Sequence, residues 1–268
     1  MKKVRHILSL SGGKDSTALA IYMRDRVPEM EYVFCDTEKE LPETYAYIEK
    51  LEAYLGKPIK RLMHDGRGFD HYMAMRHNFL PSPLNRWCTQ YLKLRPFEKF
   101  VGDDPVISYV GIRADEDREG YISHKRNITT VYPFKEDGIV ERDVLDILRS
   151  SGLDLPEYYR WRSRSWCYFC FFQQKIEWVG LLEVHPHLFE EARCYEELSR
   201  ITKHRYTWTQ GETLAELAKP ERVLAIKEEH ARRQRAEKAA RPKQLLMDIF
   251  DGLLPETAGE RACLICDL

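Results

Sequence analysis

No run of eighteen apolar residues occurs in the 268-residue chain, so the sequence offers no stretch of membrane-spanning length. The start, MKKVRHILSLSGG, meets glycine too early for a signal-peptide core with a cleavage site behind it, and the expected location is the cytoplasm. Neither charge sign is in excess: 42 Lys and Arg stand against 43 Asp and Glu, a formal net charge of −1. That balance excludes a uniformly basic nucleic-acid-coating protein and confines any nucleic-acid contact to a local patch. Internal repeats and low-complexity tracts are also missing. Cysteine is sparse, seven in all, and an odd number in a chain of this length argues for metal or redox chemistry over a disulfide scaffold. What is plentiful is core material, 43% hydrophobic and 12% aromatic residues, enough for one sizeable domain or two modest ones and incompatible with disorder throughout.

The apolar run Val4–Leu10 leads through SGGKDS into a segment whose Leu19, Tyr22 and Met23 repeat at helical spacing, which reads as strand, glycine turn, helix. A second unit comes next: Tyr32–Cys35 as strand, then Pro42–Leu55 with Tyr45, Ile48, Leu51 and Leu55 on one stripe. Ile59–Met63 and Val106–Ile112 make a third and fourth strand. Alternation of this kind predicts an α/β fold, a doubly wound and mostly parallel sheet covered on both faces. Beyond residue 140 the strand signal fades and a helical C-terminal half is expected. The division is therefore 1–140 as an α/β domain, 141–250 as a mainly helical region, and 251–268 as a flexible tail. The stretch 219–243 carries nine Lys or Arg against four Glu and reads first as a solvated helix.

Ser11, Gly12, Gly13, Lys14, Asp15 and Ser16 lie between strand and helix N-terminus, where backbone N–H groups and the helix dipole favour an anion. The glycines permit positive φ and close approach, the serine hydroxyls donate, and Lys14 adds charge. The spacing is not that of a GxxxxGK[ST] loop. A simple capped glycine turn is the alternative.

This SGGKDS element resembles the PP-loop of ATP pyrophosphatases, the adenine-nucleotide α-hydrolase-like proteins that cleave ATP between its α and β phosphates. Further stretches narrow the likeness to the phosphoadenosine-phosphosulfate (PAPS) reductase-like branch. They are Phe34-Cys35-Asp36-Thr37 with Glu40, Pro42, Glu43 and Thr44; Trp87-Cys88-Thr89 with Leu92-Lys93 and Pro96; and Gly111-Ile112-Arg113 with Glu116 and Arg118. Tyr132-Pro133-Phe134, Asp143-Val144 and Leu155-Pro156-x-Tyr158 extend it to about residue 175. The resemblance implies that residues 11–16 hold the phosphates of ATP and that Asp36 and Thr37 lie beside the adenosine. It implies Lys14, Asp15 and Ser16 together with Lys93, Arg113 and Arg118 as the catalytic set, the cations offsetting charge in the transition state. Mg²⁺ bridging the phosphates is implied too, with Asp15 nearest to hold it.

Cys167 and Cys170 form a CxxC among aromatics, and such a pair alone can clamp a metal, form a redox disulfide or fill a core. Related adenylylsulfate reductases place a cysteine pair near the WCT position and a CxxC about eighty residues later, around a [4Fe–4S] cluster. The likeness therefore implies Cys88, Cys167 and Cys170 as metal ligands. Trp87 stands where the adjacent cysteine would be, so a cluster here would keep one open iron able to bind sulfide. Zinc completed by a fourth ligand such as Cys194, and unmetallated thiols, are the alternatives. Cys35 and Cys194 read as core residues. Cys263 and Cys266 sit where a PAPS reductase carries its nucleophile, but ERACLICDL lacks that ending's glycine and histidine.

Trp161, Arg162, Arg164, Trp166 and Tyr168 interleave cations with aromatics, a pattern suited either to bases and phosphates or to a core. Tyr206-Thr207-Trp208-x-x-Gly211 resembles a feature of DNA phosphorothioation enzymes of the DndC and SspD type. The expected activity is thus ATP cleavage to AMP and pyrophosphate, activating an acceptor for sulfur transfer. DNA is the expected acceptor, and the expected sulfur donor is a protein such as a cysteine desulfurase. The alternatives are assimilatory PAPS or adenylylsulfate reduction to sulfite and a nucleotide-sensing subunit without catalysis.

Overall fold

The computed structural model describes residues 2–118, 125–201 and 206–240. Cys263, Cys266 and the expected tail lie outside the described residues. The first half runs β1 (Arg5–Leu10), α1 (Lys14–Met23), β2 (Glu31–Cys35), α2 (Pro42–Leu55), β3 (Ile59–Leu62) and α3 (Phe69–Met75). A continuous helical stretch comes next, made of α4 (Trp87–Thr89), a π-helical turn (Gln90–Leu94) and α5 (Arg95–Val101). Then come β4 (Val106–Tyr109), β5 (Ile128–Val131), α6 (Pro133–Glu136) and α7 (Glu141–Ser151).

The five strands are all parallel, in the order β3-β2-β1-β4-β5. Successive side chains on a strand face opposite ways, and β1 shows the result. Ile7 packs with Val33, Val106 and Ile128 against Phe97 and Val101 of α5. Leu8 and Leu10 join Phe34 and Tyr109 under residues of α1, α2 and α7. Both faces are covered, so the expected doubly wound α/β fold is the fold observed. The chain steps outward from β1 to β2 and β3, then returns to β4 on the other side. The C-terminal end of β1 is therefore the topological switch point, where open sheets of this kind leave a crevice.

Two details differ from the expectations. β4 stops at Tyr109 because Gly111 passes so close to α1 that an added Cβ would lie 3.0 Å from the Asp15 carbonyl oxygen. β5 has no counterpart among the expected strands, being four residues with two threonines, too short and polar to declare itself. No further strand occurs among the described residues after Val131. Val144 and Leu148 of α7 are buried in the core beneath α1.

The helical part comprises α8 (Lys175–Val184), α9 (Pro186–Ile201), α10 (Leu214–Leu217) and α11 (Pro220–Ala240). Its core is aromatic: Phe169 meets Phe69 at a tilt, ring centres 4.4 Å apart, and stacks on Trp208 at 5.1 Å, while Phe69 stacks on Trp87 at 5.2 Å. Residues from both sides of position 140 build this core. Trp161 lies against α8 at Gly180, where a Cβ would come within 2.6 Å of the indole. Trp166, Tyr168 and Arg162 are buried, so the 161–168 stretch faces inward and is not a surface for stacking bases. Cys194 is exposed on α9, contrary to the core position expected. No described helix is long and apolar enough to cross a membrane.

Glu212 fastens this part. Its carboxylate accepts from Arg222 Nε and Nη2 at 2.7 and 2.8 Å and from Lys175 of α8. Those hydrogen bonds, Arg222 foremost, hold its pKa down at about 2. A depressed carboxylate stabilises the fold fully above its unfolded pKa and loses that contribution as pH falls through the folded value. Glu212→Gln is expected to lower unfolding free energy at pH 7 by about 2 kcal/mol. Urea denaturation should show the gap to wild type closing between about pH 4.5 and pH 2.

Candidate nucleotide and thiol site

Ser11 through Gly13 join β1 to α1 at the switch point. Gly12 has φ of +76°, and a Cβ on it would come within 2.7 Å of Thr44 on α2; a Cβ on Gly13 would come within 2.4 Å of the Ser165 hydroxyl. Only glycine fits either place. The Ser11 N–H donates to Ser16 Oγ at 3.2 Å, and Ser11 Oγ accepts from the Gly13 N–H at 3.3 Å. The loop is thus curled around its own serines at the positive end of α1. Lys14 forms an ion pair with Glu141 at the start of α7.

Arg113 reaches the loop from beyond β4. It is buried and donates from Nη1 to Asp15 Oδ1 at 3.0 Å and from Nε to Asp115 Oδ1 at 2.9 Å, with Glu116 at 3.3 Å. Burial works against its charge, yet Asp15, Asp115 and Glu116 together raise its pKa above the ordinary value. Burial likewise pushes the Asp15 carboxyl up, against the pull of Lys14 and Arg113. Arg118 pairs with Glu116 Oε2, Nε lying at 3.0 Å. Asp36, at the end of β2, accepts from Tyr45 Oη at 2.8 Å and from the Glu38 N–H at 2.9 Å.

Thr37, next in sequence, faces the other way. Its Oγ1 donates to Glu40 Oε1 at 2.9 Å and lies 3.3 Å from Cys167 Sγ. Cys88, Cys167 and Cys170 all line one small cavity of about 30 Å³, with Thr37, Lys93 and Trp166 among its walls. The three cysteines singled out from the sequence therefore converge on one place. Lys93 borders this cavity, within the π-helical turn, and not the glycine loop. Burial, then Glu40, holds the Cys167 thiol well above the ordinary value, and burial raises the Glu40 carboxyl too, with Lys93 opposing. Cys35 lies in the sheet core, its thiol pushed by burial up to about 12. Cys194 does not line the cavity, which removes the expected fourth zinc ligand.

Among the described residues no three His, Cys, Asp or Glu side chains are gathered as ligands of one ion. The donor set nonetheless suits a thiolate-held metal: three sulfurs share a cavity next to groups that lack partners, Glu40 Oε2 and Arg162 Nε and Nη1. With the walls as they stand the space is that of one water or ion rather than a cluster.

One segment ties loop and cavity together. The Tyr158 hydroxyl donates to the Gly12 carbonyl at 2.8 Å, the Lys14 N–H donates to Tyr159 Oη at 3.0 Å, and the Ser165 hydroxyl donates to Ser11 Oγ at 3.0 Å. Two residues after Ser165 comes Cys167. Arg162 caps the Cys167 carbonyl at 2.7 Å, and Ser163 is held by buried Glu177 at the N-terminus of α8. Tyr159, Ser165 and Glu141 are not among the candidates that sequence motifs supply. Each acts across more than a hundred residues of chain, and nothing in local spacing marks them.

Residues 5–137, just under half of the chain, match the phosphoadenosine phosphosulfate reductase domain, so over this segment the resemblance read from the sequence is borne out. It is similar to an uncharacterized protein of Methanocaldococcus jannaschii, 34% identical over 114 residues, covering 41% of this chain and 23% of that protein. A second uncharacterized protein of that organism is 23% identical over 195 residues, covering 68% and 45%. An uncharacterized nin region protein of Escherichia phage lambda is 26% identical over 141 residues, covering 41% and 49%. The matches thus span less than half the length of these curated relatives. Among solved structures the chain is similar to a PAPS reductase from Candida auris, with a TM-score of 0.46, 14% identity and coverage of 58% of this chain and 77% of that one. It is also similar to the U34-tRNA thiolase NcsA from Methanococcus maripaludis with its [4Fe-4S] cluster, with a TM-score of 0.44, 15% identity and coverage of 76% and 74%.

Removing Arg113 leaves buried carboxylates uncompensated, so Arg113→Met should cost about 3 kcal/mol in urea denaturation at pH 7. A second expectation concerns the thiols. In metal-free protein at pH 8, iodoacetamide treatment and peptide mass spectrometry should show exposed Cys194 labelled well before Cys35, whose pKa is about 12. Equal labelling would contradict the burial described.

Proposed function

We propose that the chain is an ATP pyrophosphatase that activates an acceptor for sulfur transfer, with DNA, as in phosphorothioation, the acceptor. The observation that carries this reading is the 3.0 Å contact between Ser165 and Ser11. It supports the reading by tying Ser11 to a residue two positions before Cys167, as a reaction needing both nucleotide and sulfur requires.

In this reading residues 11–16 hold the β and γ phosphates on the α1 N-terminus, with Asp36 toward the adenosine. Lys14 and Arg113 offset charge as an acceptor oxygen bonds to the α phosphorus and pyrophosphate departs with the electrons of the broken P–O bond. Glu141 and Asp15 hold those two cations until phosphate competes for them. Mg²⁺ would meet Asp15, and would neutralise phosphate charge when bound. A sulfur species held at Cys88, Cys167 and Cys170 then attacks the activated centre, and AMP leaves with the former acceptor oxygen. Those three thiolates would hold an iron–sulfur or zinc centre, which would keep the sulfur bound and nucleophilic. Lys93 supplies positive charge beside them, and Arg118 braces Glu116. A cysteine desulfurase-type protein supplies the sulfur as a persulfide, a thiol reductant provides the two electrons that bring it to the sulfide level while being oxidised to a disulfide, and the site is a cytoplasmic one.

The family match favours a second reading, reduction of PAPS to sulfite, which needs a nucleophilic cysteine such as Cys263 or Cys266. The test is direct. Purified protein with ATP, Mg²⁺ and acceptor DNA is expected to release pyrophosphate, and Lys14→Ala or Ser16→Ala to slow this by about 100-fold. Cys167→Ser is expected to keep pyrophosphate release and lose sulfur incorporation. Sulfite from PAPS, with no pyrophosphate from ATP, would replace this reading by the second.

A further inference from the structure

Beside the thiol cavity lies a much larger open groove of about 710 Å³, a size typical of small-ligand clefts, about 300–1,000 Å³. The two are neighbours: Pro81, Phe171 and Trp208 wall both. The groove adds Phe172, which lies 4.5 Å from Phe171 ring to ring, and Tyr206, which is 47% exposed. Flat rings at the mouth and floor suit a flat ligand.

One side chain in this wall is anomalous. Gln173 is only 6% exposed, yet neither its Oε1 nor its Nε2 has a hydrogen-bond partner. A buried amide left without partners costs about 1–3 kcal/mol, and an apolar residue of the same shape would avoid that cost. An amide offering one acceptor and one donor side by side matches the edge of a nucleobase, which presents the complementary pair. Glycerol-like or acyl ligands would use the rings or the amide, not both together.

The rim carries the remaining component of a nucleotide's chemistry. Lys175 and Arg233 line the groove, and Arg233 belongs to α11, the basic helix, where its 67%-exposed side chain pairs with Glu229 at 2.7 Å. Arg86 extends over the Phe172 ring at 5.0 Å. Arg233 is exposed, while Lys175 is half-buried and paired with Glu212 and Arg86 is half-buried; cations bordering an aromatic slot are what a strand's phosphates and unstacked bases require.

We infer that this groove captures one unpaired nucleobase of a single-stranded polynucleotide, stacking it against Tyr206 and Phe172 and reading its edge with Gln173, with a flanking phosphate on Arg233 of α11. The inference rests on the proposed sulfur-transfer reading only for the chemistry after capture. It names the acceptor as a base-presenting strand whose held nucleotide lies next to the thiol cavity.

Binding requires no ATP, so the test separates the two claims. Full-length protein is titrated, without nucleotide, into fluorescein-labelled single-stranded DNA and RNA of one sequence and into the matching DNA duplex, and anisotropy is measured. Single strands are expected to bind more tightly than duplex, and the better of the two backbones identifies the acceptor. Tyr206→Ala is expected to raise Kd by about tenfold, as loss of one stacked base does, and Tyr206→Phe to restore it. Gln173→Leu is expected to raise or preserve the melting temperature while weakening binding and flattening preference among homopolymers, a split that a purely structural glutamine would not give. The melting temperature of Tyr206→Ala is expected to match wild type, so that weaker binding reports the groove and not the fold. Duplex binding equal to single strand, no binding to either strand, or groove variants that bind like wild type would overturn the inference. Absent pyrophosphate release with intact strand binding would instead sink the preceding reading and leave this one standing.

Discussion

The glycine pair after β1 is squeezed from two sides, and the rest of the site depends on that squeeze. Thr44 of α2 occupies the space beside Gly12, and Ser165 the space beside Gly13. Side chains at either position would push the loop away from one neighbour or the other, breaking the Ser165–Ser11 bond or lifting the loop off α2. Because one neighbour belongs to the sheet layer and the other to the segment leading into the CxxC, the loop is the place where the two halves are held in register. At this turn glycine is what admits the second half of the molecule, since a Cβ on Gly13 would come within 2.4 Å of the Ser165 hydroxyl.

The thiol side shows a different constraint. Glu40, Lys93 and Arg162 are all buried near Cys167, and burying charge is unfavourable unless each group is fully paired. They are not: one oxygen of Glu40 and two nitrogens of Arg162 lack partners. Burial disfavours the charged forms of Glu40, Arg162 and Cys167 alike. A fold optimised only for stability would place leucines here.

Much of this is legible in the chain. β1, α1 and the glycine turn come from an apolar run, SGGKDS and a helical stripe, and the stripe from Pro42 to Leu55 is α2 to the residue. The gathering of Cys88 with Cys167 and Cys170 comes from resemblance, since spacing cannot bring residue 88 to residue 167. What stays hidden has physical reasons. β5 is short and half polar, and its burial comes from pairing with β4, a partner invisible to local pattern. Trp161 and Trp166 alternate with arginines as a surface strand would, yet tertiary packing on α8 and the aromatic core draws them inward. Tyr159, Ser165 and Glu141 are ordinary residue types whose roles come wholly from partners far along the chain. Cys194 shares a helical stripe with Leu198, but that stripe ends half in water.

The π-helical turn at Gln90–Leu94 carries a consequence of its own. It inserts one extra residue into an otherwise regular helix, an offset of about 100° in the direction of every side chain beyond it. Trp87, upstream, and Leu92, within the turn, lie in the aromatic core; downstream, Phe97 and Val101 lie under the sheet. One unbroken rod thus serves two interiors that a uniform pitch would not reach. Sequence length across these fifteen residues is consequently fixed more tightly than their chemistry: conservative replacements are absorbed locally, whereas gaining or losing a single residue would turn one interior's anchors outward into solvent.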